Sequence, residues 1–232
     1  MTDADIPDLQ DRTILITGAG DGLGAALARG AAAAGAEVIL LGRTVRKLEA
    51  VDDAIRAAGG PAPAIYPLDL EGATPDDYGE LAERVATQCG GLDALVHNAA
   101  LLGPQTPIEH YAALEWARVL QVNLTAPMLL TQALLPLLRS SDAGRVLFLG
   151  EQRDSAYWGA YGVSKAGLHT LAAILGDELE AEARVRVEHV DPGPLATGLR
   201  ATAFPGALPD EASPAEAAVP GILARLAPRR AG

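Results

Sequence analysis

The chain has 232 residues, 49% of them hydrophobic and 21% charged, which suits one packed α/β domain and excludes a disordered chain. Thirty acidic residues against 18 basic ones leave a formal net charge of −12. That balance argues against a nucleic-acid or anionic-membrane surface, and it obliges any phosphate-bearing ligand to find a local patch of cations.

In chain order, residues 1–10 are acidic and lack the basic-then-apolar pattern of a leader, so a flexible end and a cytoplasmic location are expected. Residues 12–16 form a β-branched apolar run that reads as a strand. The turn Thr17-Gly18-Ala19-Gly20-Asp21-Gly22-Leu23-Gly24 follows, and then an alanine-rich helix. Strand, glycine turn and helix in that order make the first unit of a dinucleotide-binding fold. Gly18 permits the tight turn, Gly22 lets backbone approach a pyrophosphate, and Gly24 lets the helix pack close. The unpaired N–H groups of the first helical turn favour an anion.

Residues 37–41 read as a second strand, and residues 44–58 as a helix with Thr44 as its cap. Residues 64–68 read as a third strand, which Pro67 assigns to an edge or a bulge. Thr74 and Pro75 open a helix that runs to about Gln88, with the single cysteine, Cys89, at its end. Strand patterns recur at 92–97, 145–149 and 185–190, with helical stretches expected over 108–139, 155–182 and 214–226. No apolar run reaches the ~18 residues of a membrane span; the longest, 126–138, holds Pro127 and Pro136. The alternation predicts a single α/β domain over 1–232: a Rossmann-like, doubly wound parallel sheet with helices on both faces. Residues 198–232 form its substrate-side loop and last helix. His97, His110, His169 and His189 lack metal-ligand spacing, so no metal site is expected, and His97 reads as a satisfied near-core residue.

Four further stretches complete a pattern: Asn98-Ala99-Ala100 after a strand, Asn123 in a helix, Tyr161-Gly162-Val163-Ser164-Lys165 on a helix face, and Asp191-Pro192-Gly193-Pro194-Leu195-Ala196-Thr197 after the sixth strand. With the glycine turn in front, this order resembles the short-chain dehydrogenase/reductase family over residues 12–197. Residues 95–103, 130–138, 158–161 and 203–205 look most like a bacterial branch of uncharacterised oxidoreductases, the YciK-like proteins.

The resemblance implies an oxidoreductase that interconverts a small-molecule carbonyl and alcohol by hydride transfer. Tyr161 exchanges a proton with the substrate oxygen. Lys165, four residues on and so on the same helix face, stabilises the phenolate and holds the cofactor ribose. Asn123 helps to hold a water that links the lysine to solvent. Asp69 touches the adenine edge with Leu70 beside it, and Asn98 and Ala99 line the adenosine ribose. Pro192 and Gly193 frame the nicotinamide, and Thr197 bonds its carboxamide or the diphosphate. The family's central helices also make its subunit interface, which implies a homo-oligomer, here a dimer.

The chain departs from the family in two places. Ala100 and Leu101 stand where glycine is more usual, and Glu151 falls where an active-site serine is usual. A protonated Glu151 would donate a hydrogen bond, an ionised one would repel an oxyanion, and a solvent-facing one would leave the site impaired. Ser155 and Tyr157 are substitutes on another part of the loop. The impaired case describes a cofactor-binding sensor or scaffold. The second strand ends Leu41-Gly42-Arg43-Thr44 with no acid to select NAD, so Arg43 favours NADP(H) over NAD(H), against an opposing charge on Asp21.

Overall fold

A computed structural model describes residues 7–208 and 211–228. Six strands form one sheet in the order β3-β2-β1-β4-β5-β6, and all neighbouring pairs are parallel. They are β1 (Thr13–Thr17), β2 (Glu37–Gly42), β3 (Ala64–Pro67), β4 (Ala94–His97), β5 (Gly144–Leu149) and β6 (Val185–Val190). The chain reverses its direction of travel between β1 and β4, and ligands bind outside the carboxyl ends of the strands at such a reversal. β1, β4 and β5 are buried along their whole length, as strands covered on both faces must be.

Successive side chains feed two cores. Ile14, Ile16, Leu40 and Val96 pack under α1 (Gly22–Ala33), α2 (Val45–Ala57) and α8 (Val219–Leu226). Leu15, Leu41, Leu95 and Phe148 pack under α3 (Pro75–Gln88), α5 (Ala126–Ser140) and α6 (Gly159–Leu179). Thr74 caps α3 in a reciprocal box with Asp77, and Asp21 caps α1. Thr44 holds the cap position of α2 without a side-chain bond. β3 lies at the sheet edge, where the missing N–H of Pro67 is tolerated.

The structure corrects the expected elements in three places. The helical region expected over 108–139 is a 3-10 turn (Ile108–His110), then α4 (Ala113–Leu120), a π turn (Gln121–Thr125) and α5. Together, α4 to α5 are long and apolar enough to cross a membrane by length and composition, but Val119, Ala126, Leu130, Leu134 and Leu138 are fully buried in the fold. The helix expected from Ser155 starts at Gly159, because Tyr157 (φ 73°) and Gly159 (φ 40°) hold left-handed backbone. The flexible end expected over 1–10 lies outside the described residues up to Ile6. From there the chain is anchored: Leu9 is fully buried, and its N–H donates to the Ala34 carbonyl at 2.9 Å. Beyond β6, β7 (Leu195–Ala196) pairs with β8 (Ser213–Pro214), on either side of α7 (Gly198–Ala203).

Candidate active site

A cleft of about 780 Å³ opens along the carboxyl ends of the strands. Its floor is the glycine turn. Gly18 and Gly22 have left-handed backbone, and a Cβ on Gly18 would sit 2.9 Å from the Ala99 Cα. A Cβ on Gly24 would fall 2.2 Å from the Gly18 carbonyl oxygen, so this glycine seats α1 against the turn and does not line the cleft. Thr17 is likewise buried beneath the floor. Its hydroxyl donates to the Val96 carbonyl at 3.3 Å and accepts the N–H groups of Asn98 and Ala99, each at 3.0 Å. The Asn98 amide donates to the Thr17 carbonyl at 2.9 Å. Thr17 thus ties β1 to β4 and does not touch a ligand in the cleft. The result is a side-chain-free cradle at a helix start, which fits a pyrophosphate.

Gly20, Asp21, Gly22, Leu23, Arg43, Thr44, Asp69, Leu70, Asn98 and Ala99 all line the cleft. Lys47, which the sequence reading passed over, lines it too and pairs with Asp21. Lys47, and then the Gly22 N–H, hold the Asp21 carboxyl below its usual range. The opposing charge expected from Asp21 is therefore compensated on the spot. The chain contains only two lysines, Lys47 and Lys165, and both border this cleft. Arg118, also passed over, forks onto Glu71 at 2.8 and 3.0 Å on the rim.

At the other end, Tyr161 and Lys165 lie one turn apart on α6, both buried and both lining the cleft. The Lys165 Nζ donates to the Leu149 carbonyl at 3.2 Å and lies 5.6 Å from the centroid of the Tyr161 ring. Burial lowers the lysine to about 8, with the Glu151 charge opposing. The Tyr161 hydroxyl donates to the Glu151 Oε1 at 2.8 Å, and Arg153 pairs with the other carboxylate oxygen. Burial first, then the charge and hydrogen bond of Glu151, hold the phenol above its ordinary value. Neither the protonated donor nor the solvent-facing Glu151 describes this geometry, because the carboxylate is ion-paired and accepts from Tyr161. Ser155 and Tyr157 are exposed and take no part.

Asn123 is buried beside the cleft. Its Oδ1 accepts the Leu101 N–H at 2.7 Å, and its Nδ2 donates to the Leu101 carbonyl at 2.9 Å and the Ser164 Oγ at 3.0 Å. The amide is committed to pinning the π turn to α6 and lies outside the cleft lining. Pro192, Gly193 and Thr197 do line the cleft. The Gly193 N–H donates to Asp191 at 2.8 Å, and the Thr197 hydroxyl caps α7. Trp158 and Phe204, with Arg153 stacked over both rings at 5.1 and 5.9 Å, wall the substrate side. His97 is buried and held neutral by burial, at about 3, with its Nε2 2.7 Å from the Thr131 hydroxyl. Among the described residues, no group of three His, Cys, Asp or Glu is placed to hold a metal.

A parallel sheet in this order, a glycine cradle, and a phenol beside a buried ammonium define an α/β nucleotide-binding oxidoreductase. The short chain dehydrogenase family model matches residues 12–207. The uncharacterized oxidoreductase YciK of Escherichia coli strain K12 is 42% identical over 200 residues, 85% of this chain and 79% of that one. A short chain dehydrogenase structure from Pseudomonas syringae superposes with a TM-score of 0.93 at 44% identity, covering 95% of this chain and 91% of that one. A short chain dehydrogenase from Escherichia coli strain CFT073, complexed with NADPH, gives 0.90 at 40% identity, covering 94% and 92%. The chain belongs to the short-chain dehydrogenase/reductase family, and its relatives include YciK.

Proposed function

We propose that the protein interconverts a small carbonyl compound and its alcohol with NADP(H) as the redox partner. The observation that carries this reading is the buried Tyr161–Lys165 pair, which faces the same cleft as the glycine cradle. When bound, the nicotinamide supplies or accepts the hydride. The rest is done by the chain. Gly18, Gly20 and Gly22 leave room for the diphosphate. Asp69 and Leu70 edge the adenine. Asn98, Ala99 and Lys165 hold the riboses, and Pro192, Gly193 and Thr197 hold the nicotinamide side. Tyr161 moves a proton to or from the substrate oxygen, and Lys165 keeps positive charge beside it. Asn123 positions α6 by way of Ser164.

Arg43 just after β2 and Lys47 in the first turn of α2, with no carboxylate at the strand terminus itself, support NADP over NAD. The related structure that holds NADPH points the same way. We also read a homodimer through α5 and α6, whose outward faces expose Met128, Val163 and Ile174.

Binding isotherms test the cofactor. Arg43→Ala weakens NADPH about tenfold, the low end for a charge-assisted hydrogen bond, and leaves NADH unchanged. Equal losses for both would refute the assignment. A carbonyl panel with Tyr161→Phe as control tests the chemistry. Tight NADPH binding with no Tyr161-dependent oxidation would instead favour a cofactor-binding protein without catalysis.

A further inference from the structure

We propose that Glu151 is the proton acceptor behind Tyr161, forming a phenol–carboxylate relay that takes up the proton of an alcohol substrate. This rests on the oxidoreductase reading above and gives it a proton path.

A phenol has one proton, and that of Tyr161 is directed at the Glu151 Oε1, 2.8 Å away. The phenol oxygen therefore meets the cleft with its lone pairs. It accepts the O–H of an alcohol but has nothing to give a carbonyl oxygen until the bond to Glu151 breaks. The carboxylate is held in place by the loop between β5 and α6. Arg153 pairs with its second oxygen and is itself stacked over Trp158 and Phe204. The same loop is pressed onto α6: a Cβ on Gly162 would lie 2.0 Å from the Arg153 carbonyl oxygen, so only glycine allows this approach.

The titratable groups around the relay come from four elements: Arg153 in the loop, Lys165 on α6, His189 on β6, which burial lowers and which faces Lys165, and Asp191 in the turn that follows. Burial and the Glu151 charge both disfavour a phenolate. The negative charge thus starts on the carboxylate, and the proton hops without a free phenolate. In the step, the alcohol gives its O–H proton to the Tyr161 oxygen as Tyr161 passes its own to Glu151. The carbinol C–H bond breaks, its electron pair leaves to the oxidised nicotinamide, and C=O forms. Glu151, partly open to the cleft, then returns the proton to water.

The first test needs no turnover. Ultraviolet difference titration of the protein without nucleotide, with Tyr161→Phe to assign the signal, follows the Tyr161 phenol. In Glu151→Gln its ionisation moves to lower pH. The second test is the pH profile of alcohol oxidation with NADP+. Glu151→Gln lowers kcat/KM for alcohol oxidation by about 10²–10⁴-fold and erases the fall at acid pH, and at any one pH carbonyl reduction falls by the same factor, because one equilibrium constant ties the two directions. Glu151→Ser, the residue usual in the family, is the second variant if the glutamine form folds poorly, and it loses the acid limb in the same way. An unmoved phenol, an unchanged profile, or a variant faster in both directions overturns the relay alone. A wild-type protein that oxidises no alcohol and reduces no carbonyl, with the phenol titrating as expected, overturns the oxidoreductase reading and the relay with it.

Discussion

Replacing Lys165 with methionine stabilises the nucleotide-free protein at neutral pH and removes its gain in stability at alkaline pH. The ammonium is 5% exposed, with one hydrogen bond, to the Leu149 carbonyl. Its value falls from 10.5 to about 8 on burial. At ~1.4 kcal/mol per pH unit this penalises the charged form by about 3 kcal/mol. The unfolded chain keeps its proton up to 10.5 and the folded chain releases it near 8, so between those values the unfolded state holds more protons. Stability therefore rises with pH across that window by about 3 kcal/mol, and below it the whole penalty is present. Methionine keeps the apolar stem but forfeits the Leu149 bond and the contact with the Tyr161 ring, each worth about 1 kcal/mol. The net gain at pH 7 is about 1–2 kcal/mol. Urea unfolding of both proteins at pH 7 and pH 10, without nucleotide, measures it. A variant less stable at pH 7, or a wild-type slope that survives the substitution, would refute the reasoning.

Two further substitutions probe the floor of the cleft. Gly24→Ala places a methyl 2.2 Å from the Gly18 carbonyl oxygen and 2.5 Å from the Asn98 amide, so backbone must move. Calorimetry should show a loss of about 1–3 kcal/mol, with NADPH binding at least tenfold weaker; an unchanged melt and affinity would remove the packing argument. Thr17→Val keeps the shape of the side chain but strands the N–H groups of Asn98 and Ala99. At about 1–3 kcal/mol for each stranded group, the expected loss is about 2–6 kcal/mol, with faster exchange of both amides; a change below about 0.5 kcal/mol would mean that water replaces the hydroxyl.

The strands and the cradle were legible because their causes are local. A buried parallel strand has to be an apolar run between breakers, and a close backbone approach has to be glycine. The Tyr161–Lys165 pair could be read because its spacing is that of one helical turn and the order of motifs placed it. What escaped the reading depends on contacts across the fold. Nothing near Lys47 in the chain says that it meets Asp21, and nothing near Thr17 says that its hydroxyl serves β4. The delayed start of α6 follows from the left-handed Tyr157, a backbone state that an ordinary residue does not announce. The Glu151 side chain is the clearest case. Its residue type was a visible anomaly, but its direction is set by Arg153, by two aromatic rings and by the absent Cβ of Gly162. Leu9 shows the same limit near the chain's start: one leucine in an acidic stretch gives no sign that it is fully buried in the core.

The placement of both lysines at one cleft makes the protein its own reporter. Aside from the α-amine, reagents that acylate or reductively alkylate amines have only these two targets, and both border the proposed nucleotide path. At pH 8 about half of Lys165 is the neutral, nucleophilic base, so a small reagent able to enter would label it ahead of an ordinary lysine. Mass spectrometry of two peptides would then read out occupancy of either end of the cleft separately, with no substrate known and no turnover required.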